Sequence, residues 1–244
     1  MRYIILFLLI TSLFCINCKA HWNDSLYRVT SYSDFFQLPE VNTRINLDSI
    51  DYSLLDAAIF YQTNKLRAGY GLWGFKYSRA LEKSAFEHSV DMGVLNFFEH
   101  ESVIEEKKTV DMRLELVGTG GSSENIAANG GYSFQRCIHP WDDEEETNLS
   151  IDTIKLYPVD DTTGLKRKNF NKTYRQIAII FLCQWEGSRG HYDNMINFNS
   201  DYLGCGVYYD IVSGKFYATQ DFAWKDADYT KFPDTLNYKY RPNK

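Results

Sequence analysis

Two histidines and a glutamate stand in three separated segments, with the residue types of a metal or acid–base site. His100 closes Phe97-Phe98-Glu99-His100, Glu124 opens Glu124-Asn125-Ile126-Ala127, and His191 lies in Gly190-His191-Tyr192-Asp193-Asn194-Met195. Two neutral imidazoles and a carboxylate can hold a zinc-like divalent cation and leave a position open for water. The carboxylate can instead stand behind a histidine and fix its tautomer, or the three can form a polar cluster that staples helices to a sheet. The residues alone leave all three readings open.

Rival chemistries lack their motifs. The sequence has no G-x-S-x-G elbow and no H-E-x-x-H, which argues against a serine hydrolase of that type and a zincin protease. Gly118-x-Gly120-Gly121 is followed by no phosphate-loop lysine. Ser188 precedes His191 by one helical turn, on a stretch that does not aim its hydroxyl at the ring. His88 reads as a core histidine, because Leu81, Ala85, His88 and Met92 share one helical face. His139, beside the acidic run, could meet a metal there but reads first as exposed. The acidic run 142–146 lacks the spaced ligands and turn glycine of an EF-hand and reads as a solvated loop.

The elements that position these residues are partly visible. Asp51 or Ser53 caps a helix striped by Leu54, Leu55, Ala58, Ile59, Tyr61, Gln62 and Leu66, and stopped by Gly69 and Gly71. Ser78 opens a second helix. Residues 174–185 form a third, with Ile177, Ile180, Phe181 and Trp185 inward. Residues 204–209 and 215–222, joined at Ser213-Gly214, read as a hairpin. Residues 118–123 form a flexible loop into Glu124. The span 21–48 has no clean period and reads as a tether with some local structure. The polar span 141–168 reads as a protruding surface insertion, and the tail after Trp224 as hugging the surface.

The whole chain narrows the function classes. It has 244 residues and a net charge of -6, with a pI near 5.4. No basic stripe is left to neutralise nucleic-acid phosphates or to seek anionic lipid. Arg2 followed by the apolar run 4–16 reads as an export signal, too short to span a bilayer. Cys18 is either a lipidated cysteine or part of a small-x-small cleavage site at Cys18-Lys19-Ala20. Both place the mature chain outside the cytoplasm, secreted or anchored as a lipoprotein.

Cys15 and Cys18 fall in the signal, so Cys137, Cys183 and Cys205 remain. Three cysteines allow one disulfide at most, or three buried thiols. A Cys137–Cys183 bridge would close a loop of about 45 residues at the base of the insertion. Cys205, between Gly204 and Gly206, would then be the free thiol of a core strand.

The order of these pieces resembles the bacterial type of the CAP superfamily, the cysteine-rich secretory, antigen 5 and pathogenesis-related-1 proteins. Asn64-Lys65-Leu66-Arg67 with Gly69 and Leu72 is similar to that family's first-helix signature. Ala85-Phe86-Glu87-His88-Ser89-Val90-Asp91-Met92, Phe98-Glu99-His100 and Glu124-Asn125-Ile126-Ala127 follow in its order, the last with Ser123 in place of a glycine. Trp185-x-x-Ser188-x-Gly190-His191, residues 203–207 and Thr219-Gln220-Asp221-Phe222 complete it. The resemblance implies an α+β fold, a three-layered α-β-α sandwich around a central antiparallel sheet. The match covers a CAP domain at 51–224 with its insertion at about 141–168, and the residues around it read as a signal at 1–18, a tether at 19–50 and a tail at 225–244.

His100, Glu124 and His191 match three of the family's four cavity residues. The fourth, a glutamate, falls at Ser188, and Glu186 stands two positions early. The resemblance implies a divalent metal such as zinc at His100 and His191, with Glu124 as ligand or outer partner. It also implies an envelope protein that binds a lipid, sterol or other small apolar ligand, a metal, or a host or partner protein. Contact with a membrane would come only through a lipid anchor, and nucleic acid is not expected. The alternative is a metal-dependent hydrolase or protease with catalytic candidates His100, Glu124 and His191; the missing glutamate favours binding over catalysis.

Overall fold

A computed structural model describes residues 22–121, 123–131, 137–142 and 170–233. In chain order the elements are α1 (Tyr32–Phe35), α2 (Tyr52–Gly69), β1 (Lys76–Tyr77), α3 (Arg79–Val94), α4 (Val110–Leu116), β2 (Ser123–Asn129), α5 (Tyr174–Glu186), α6 (Arg189–Met195), β3 (Tyr202–Asp210) and β4 (Lys215–Ala223). The sheet runs β1-β3-β4-β2. Its body, β2-β4-β3, is antiparallel as expected. The edge strand β1 pairs parallel to β3, so the sheet is mixed. A parallel pair needs a long crossover, and most of the domain lies between these two strands.

The three main helices begin where their capping residues place them. The Asp51 carboxylate accepts from the Leu54 N–H at 3.1 Å, and the Ser78 hydroxyl accepts from the Leu81 N–H. Thr173 and Gln176 form a reciprocal capping box on α5, which satisfies two otherwise orphan donors. Helix α3 covers one face of β3 and β4, while α2 and α5 pack together on the other. Helix α2 is enclosed between the sheet and α5, and buries every residue from Leu54 to Thr63.

Alternation along β3 divides the two layers. Cys205, Val207 and Tyr209 enter the large core under α2 and α5, while Tyr208 joins Met92, Ile126 and Tyr217 beneath α3. Gly204 and Gly206 also face α3. A Cβ on Gly206 would lie 2.1 Å from the Phe86 backbone nitrogen, and one on Gly204 would lie 2.0 Å from that of Glu82. The helix lies directly on the strand because these two positions carry no side chain.

The N-terminal segment is not a tether. Trp22, Phe35, Phe36, Val41 and Ile45 are buried in the large core. The Ile45 N–H donates to the Lys172 carbonyl and the Arg175 N–H to that of Val41. These apolar residues follow no helical or strand period, because they serve short turns wrapped over α2 and the start of α5.

Cys137 and Cys183 form the disulfide, with Cα atoms 5.3 Å apart, and Cys205 is the buried free thiol. The tail as far as residue 233 turns back over the start of α3. Asp226 accepts from Ser78 and from Tyr229 there. The export signal and all but Trp141 and Asp142 of the expected insertion lie outside the described residues.

Candidate functional site

The site is built around one buried carboxylate. Glu124 sits in β2 opposite Asp221 of β4, with its side chain only 1% exposed. Glu124, Asn125 and Asn129 of β2 are buried, and each finds a side-chain partner there. Oε1 of Glu124 meets His100 Nδ1 at 2.8 Å. Oε2 accepts from Nη2 of Arg113, itself buried. Arg113 lies on α4, whose first turn is capped by Thr109. Its Nη1 also donates to the carbonyls of His100 at 3.1 Å and Lys107 at 3.0 Å. One guanidinium therefore fixes both the carboxylate and the loop that delivers His100.

His191 arrives on α6, and amides hold that helix against the sheet. Asn125 Nδ2 donates to the His191 carbonyl at 3.1 Å and to Gln220 Oε1 at 3.0 Å. Asn194 Nδ2 donates to Asn125 Oδ1 at 2.8 Å, and Gln220 Nε2 reaches Thr63 Oγ1 on α2. Trp185, fully buried, donates from its indole nitrogen to the Ile126 carbonyl at 3.0 Å. The outcome is a pair of imidazoles, His100 and His191, with ring centroids 6.1 Å apart. Both are partly open to solvent, over a carboxylate that is not.

Charge is distributed unevenly among these groups. Burial alone would raise the Glu124 carboxyl, but the His100 hydrogen bond and the nearby His88 and Arg113 hold it below its ordinary value. The hydrogen bond to Glu124 raises His100. Burial, and then the neighbouring His100, lowers His191. His88 is a core histidine, as its helical face implied. It is fully buried, burial pulls its pKa down to about 4, and its Nε2 lies 3.2 Å from the Glu99 carbonyl. It also backs the site, 3.9 Å from Glu124 Oε2.

Asp221 is pushed well above the carboxylate range, first by burial and then by the charge of Glu124. A raised folded pKa contributes stability that is fully present below the unfolded value near 3.8 and is lost as pH rises through the folded one. Wild-type stability should therefore fall more steeply than that of Asp221→Asn as pH rises above about 4. Urea midpoints across that range check this, and parallel profiles would contradict it.

Glu186 does not stand in for the missing fourth residue. It pairs with His139, whose Nε2 lies 3.0 Å away. His139 is not exposed as expected: its side chain is 17% exposed and stacks on Trp141 at 4.8 Å, an aromatic two residues along that supplies the cover. Cys137 and Cys183 lie near Glu186 with ligand-like spacing, but their sulfurs are joined to each other and offer no thiolate. Arg113 and Asn194 escaped the sequence reading. Asn194 is visible in hindsight beside His191, whereas nothing local marks Arg113.

The layers and the ordered His–Glu–His arrangement define an α-β-α protein of the CAP class. The model of the cysteine-rich secretory protein (CAP) family matches residues 60–222, and the chain belongs to that family. No curated protein sequence matches it. Among solved structures, it is similar to an extracellular SCP-domain protein of Bacillus anthracis, with TM-score 0.48 and 22% identity over 72% of this chain and 42% of that one. It is also similar to an outer surface protein of Borrelia burgdorferi, with TM-score 0.42 and 14% identity over 69% and 92%. A third is a cysteine-rich secretory protein of Staphylococcus aureus, with TM-score 0.42 and 14% identity over 71% and 39%. The match spans less than half of the Bacillus and Staphylococcus proteins. Among the described residues, no helix is long and apolar enough to cross a membrane.

Proposed function

We propose that this chain is an exported binding protein of the cell envelope whose His100 and His191 take a divalent cation such as zinc. The observation that carries this reading is the His100 Nδ1–Glu124 Oε1 hydrogen bond. A carboxylate on one ring nitrogen fixes the tautomer and leaves the other nitrogen as a ligand. Two imidazoles on one tetrahedral ion, at Zn–N of about 2 Å, place their ring centroids roughly 5 Å apart; the observed 6.1 Å is close to that. Export rests on the apolar run 4–16 behind Arg2.

Glu124 is then an outer partner. Both of its oxygens are engaged, one by His100 and one by Arg113. That also removes it as a free general base, and Ser188 supplies no carboxylate in place of the missing glutamate. The arrangement favours binding over hydrolysis. A cation held by two protein ligands keeps open positions, which a small ligand or a donor from a partner protein can fill.

Zinc titration calorimetry on the mature chain tests this. His100→Ala and His191→Ala should each weaken zinc binding by at least about tenfold, the scale on which even outer partners act. Unchanged binding in both variants would overturn the proposal.

A further inference from the structure

A second open feature lies at the far end of α6 from His191. It is a groove of about 390 Å³ bordered by the turn after α2, by β1 and by the chain before β3, near the lower end of the range for small-ligand sites. Trp73 and Phe198 stand on it, 92% and 79% exposed. Such aromatics contribute little to folding where they are and offer flat apolar walls.

The floor holds Arg67, which is only 3% exposed. Its Nε donates to the Trp73 carbonyl at 2.8 Å, and its Nη1 to the carbonyls of Met195 and Asn197. Phe75 lies 3.7 Å beneath the guanidinium. Among the described residues Nη2 has no hydrogen-bond partner, so a buried cation keeps one amino corner unspent at a groove it lines. Burial pulls this guanidinium down to about 10, with Asp201 acting the other way, so its charge is incompletely compensated. Lys76 adds a second cation at the rim, with no salt bridge among the described residues; its ammonium lies 5.4 Å from the centre of the Tyr202 ring. Asp201 is the single acid of the lining.

We propose that this groove is a binding site for a small organic oxyanion, a carboxylate or phosphate, carried on an aromatic body. The free amino corner of Arg67 and the Lys76 ammonium take the oxygens, and Trp73 and Phe198 take the ring. Because Nε and Nη1 are already committed, Arg67 offers one point of contact and not its two-pronged fork. That sets a compact headgroup and a modest affinity. Asp201, on the same lining, opposes any anion and limits the affinity. The site is independent of the cation proposed at His100 and His191.

The test titrates 3-phenylpropionate, phenyl phosphate and neutral 3-phenylpropionamide into the mature chain, followed by ligand-observed NMR or calorimetry. At least one anion should saturate the site below about 10 mM, a weak but measurable range. The amide should bind at least about tenfold more weakly, as expected for loss of a charge-assisted hydrogen bond. The tighter of the two anions names the headgroup. Arg67→Ala is a poor probe because Arg67 also ties down three carbonyls. Trp73→Ala and Lys76→Gln alter exposed side chains, and each should weaken the anion about fivefold or more. His100→Ala should leave it unchanged. Equal binding of acid and amide, indifference to both groove variants, or no saturation would overturn the proposal.

Discussion

Arg113→Ala should cost the protein about 3–5 kcal/mol, because it leaves a buried carboxylate without its cation. Glu124 is almost wholly enclosed, and among the described residues Arg113 is its one permanently charged partner. His100 alone cannot replace it, since half of that ring faces water. The same variant frees the carbonyls of His100 and Lys107, so the loop that delivers His100 loosens together with the carboxylate. Arg113→Lys should recover only part of the loss, because an ammonium does not reproduce a planar fork that serves four acceptors in fixed directions. Urea denaturation with the midpoint and slope both fitted checks this. A loss below about 1 kcal/mol, the scale of an exposed ion pair, would show that Arg113 is not the clamp.

Gly206→Ala should also destabilise strongly, for a different reason. The added methyl would meet the backbone of Phe86, at 2.1 Å from its nitrogen and 2.3 Å from its Cα. A side chain can rotate away, but a helix backbone cannot, so α3 must lift off β3. Overpacking of this kind costs about 1–3 kcal/mol and occasionally more, and this site belongs at the top of that range. Gly190→Ala is the control. It lies in α6 with nothing within 4 Å of an added Cβ, so it should be neutral or stabilising by about 0.4–1 kcal/mol. Thermal melts of the two variants separate the cases, and equal effects would contradict the close approach of α3 to β3.

What was legible in the sequence follows from which forces act locally. Asp51 and Ser78 cap helices through atoms only three residues away, and Ile177, Ile180, Phe181 and Trp185 recur along the inward side of α5, so α2, α3 and α5 could be placed. The hairpin showed because β3 and β4 meet at a tight turn, with Gly214 at φ of 66°. Strand β2 did not show. Glu124, Asn125 and Asn129 are buried, which no hydrophobic alternation announces. Their partners Arg113, His191, Gln220 and Gln184 come from distant segments. The packing of Trp22 and Phe35 against α2 was hidden for the same reason. His100, Glu124 and His191 were visible as residues, while the clamp that gives Glu124 its role was not.

The central claim is that His100 and His191 form the cation site while Glu124 stays behind His100. An anomalous-scattering crystal structure of the zinc-soaked mature protein tests it most directly. The expected result is a zinc peak ligated by both rings, with the Glu124 carboxylate still bonded to His100 Nδ1 and to Arg113. A peak ligated by Glu124, a peak only beside His139 and Glu186, or no peak at the His100–His191 pair would contradict it.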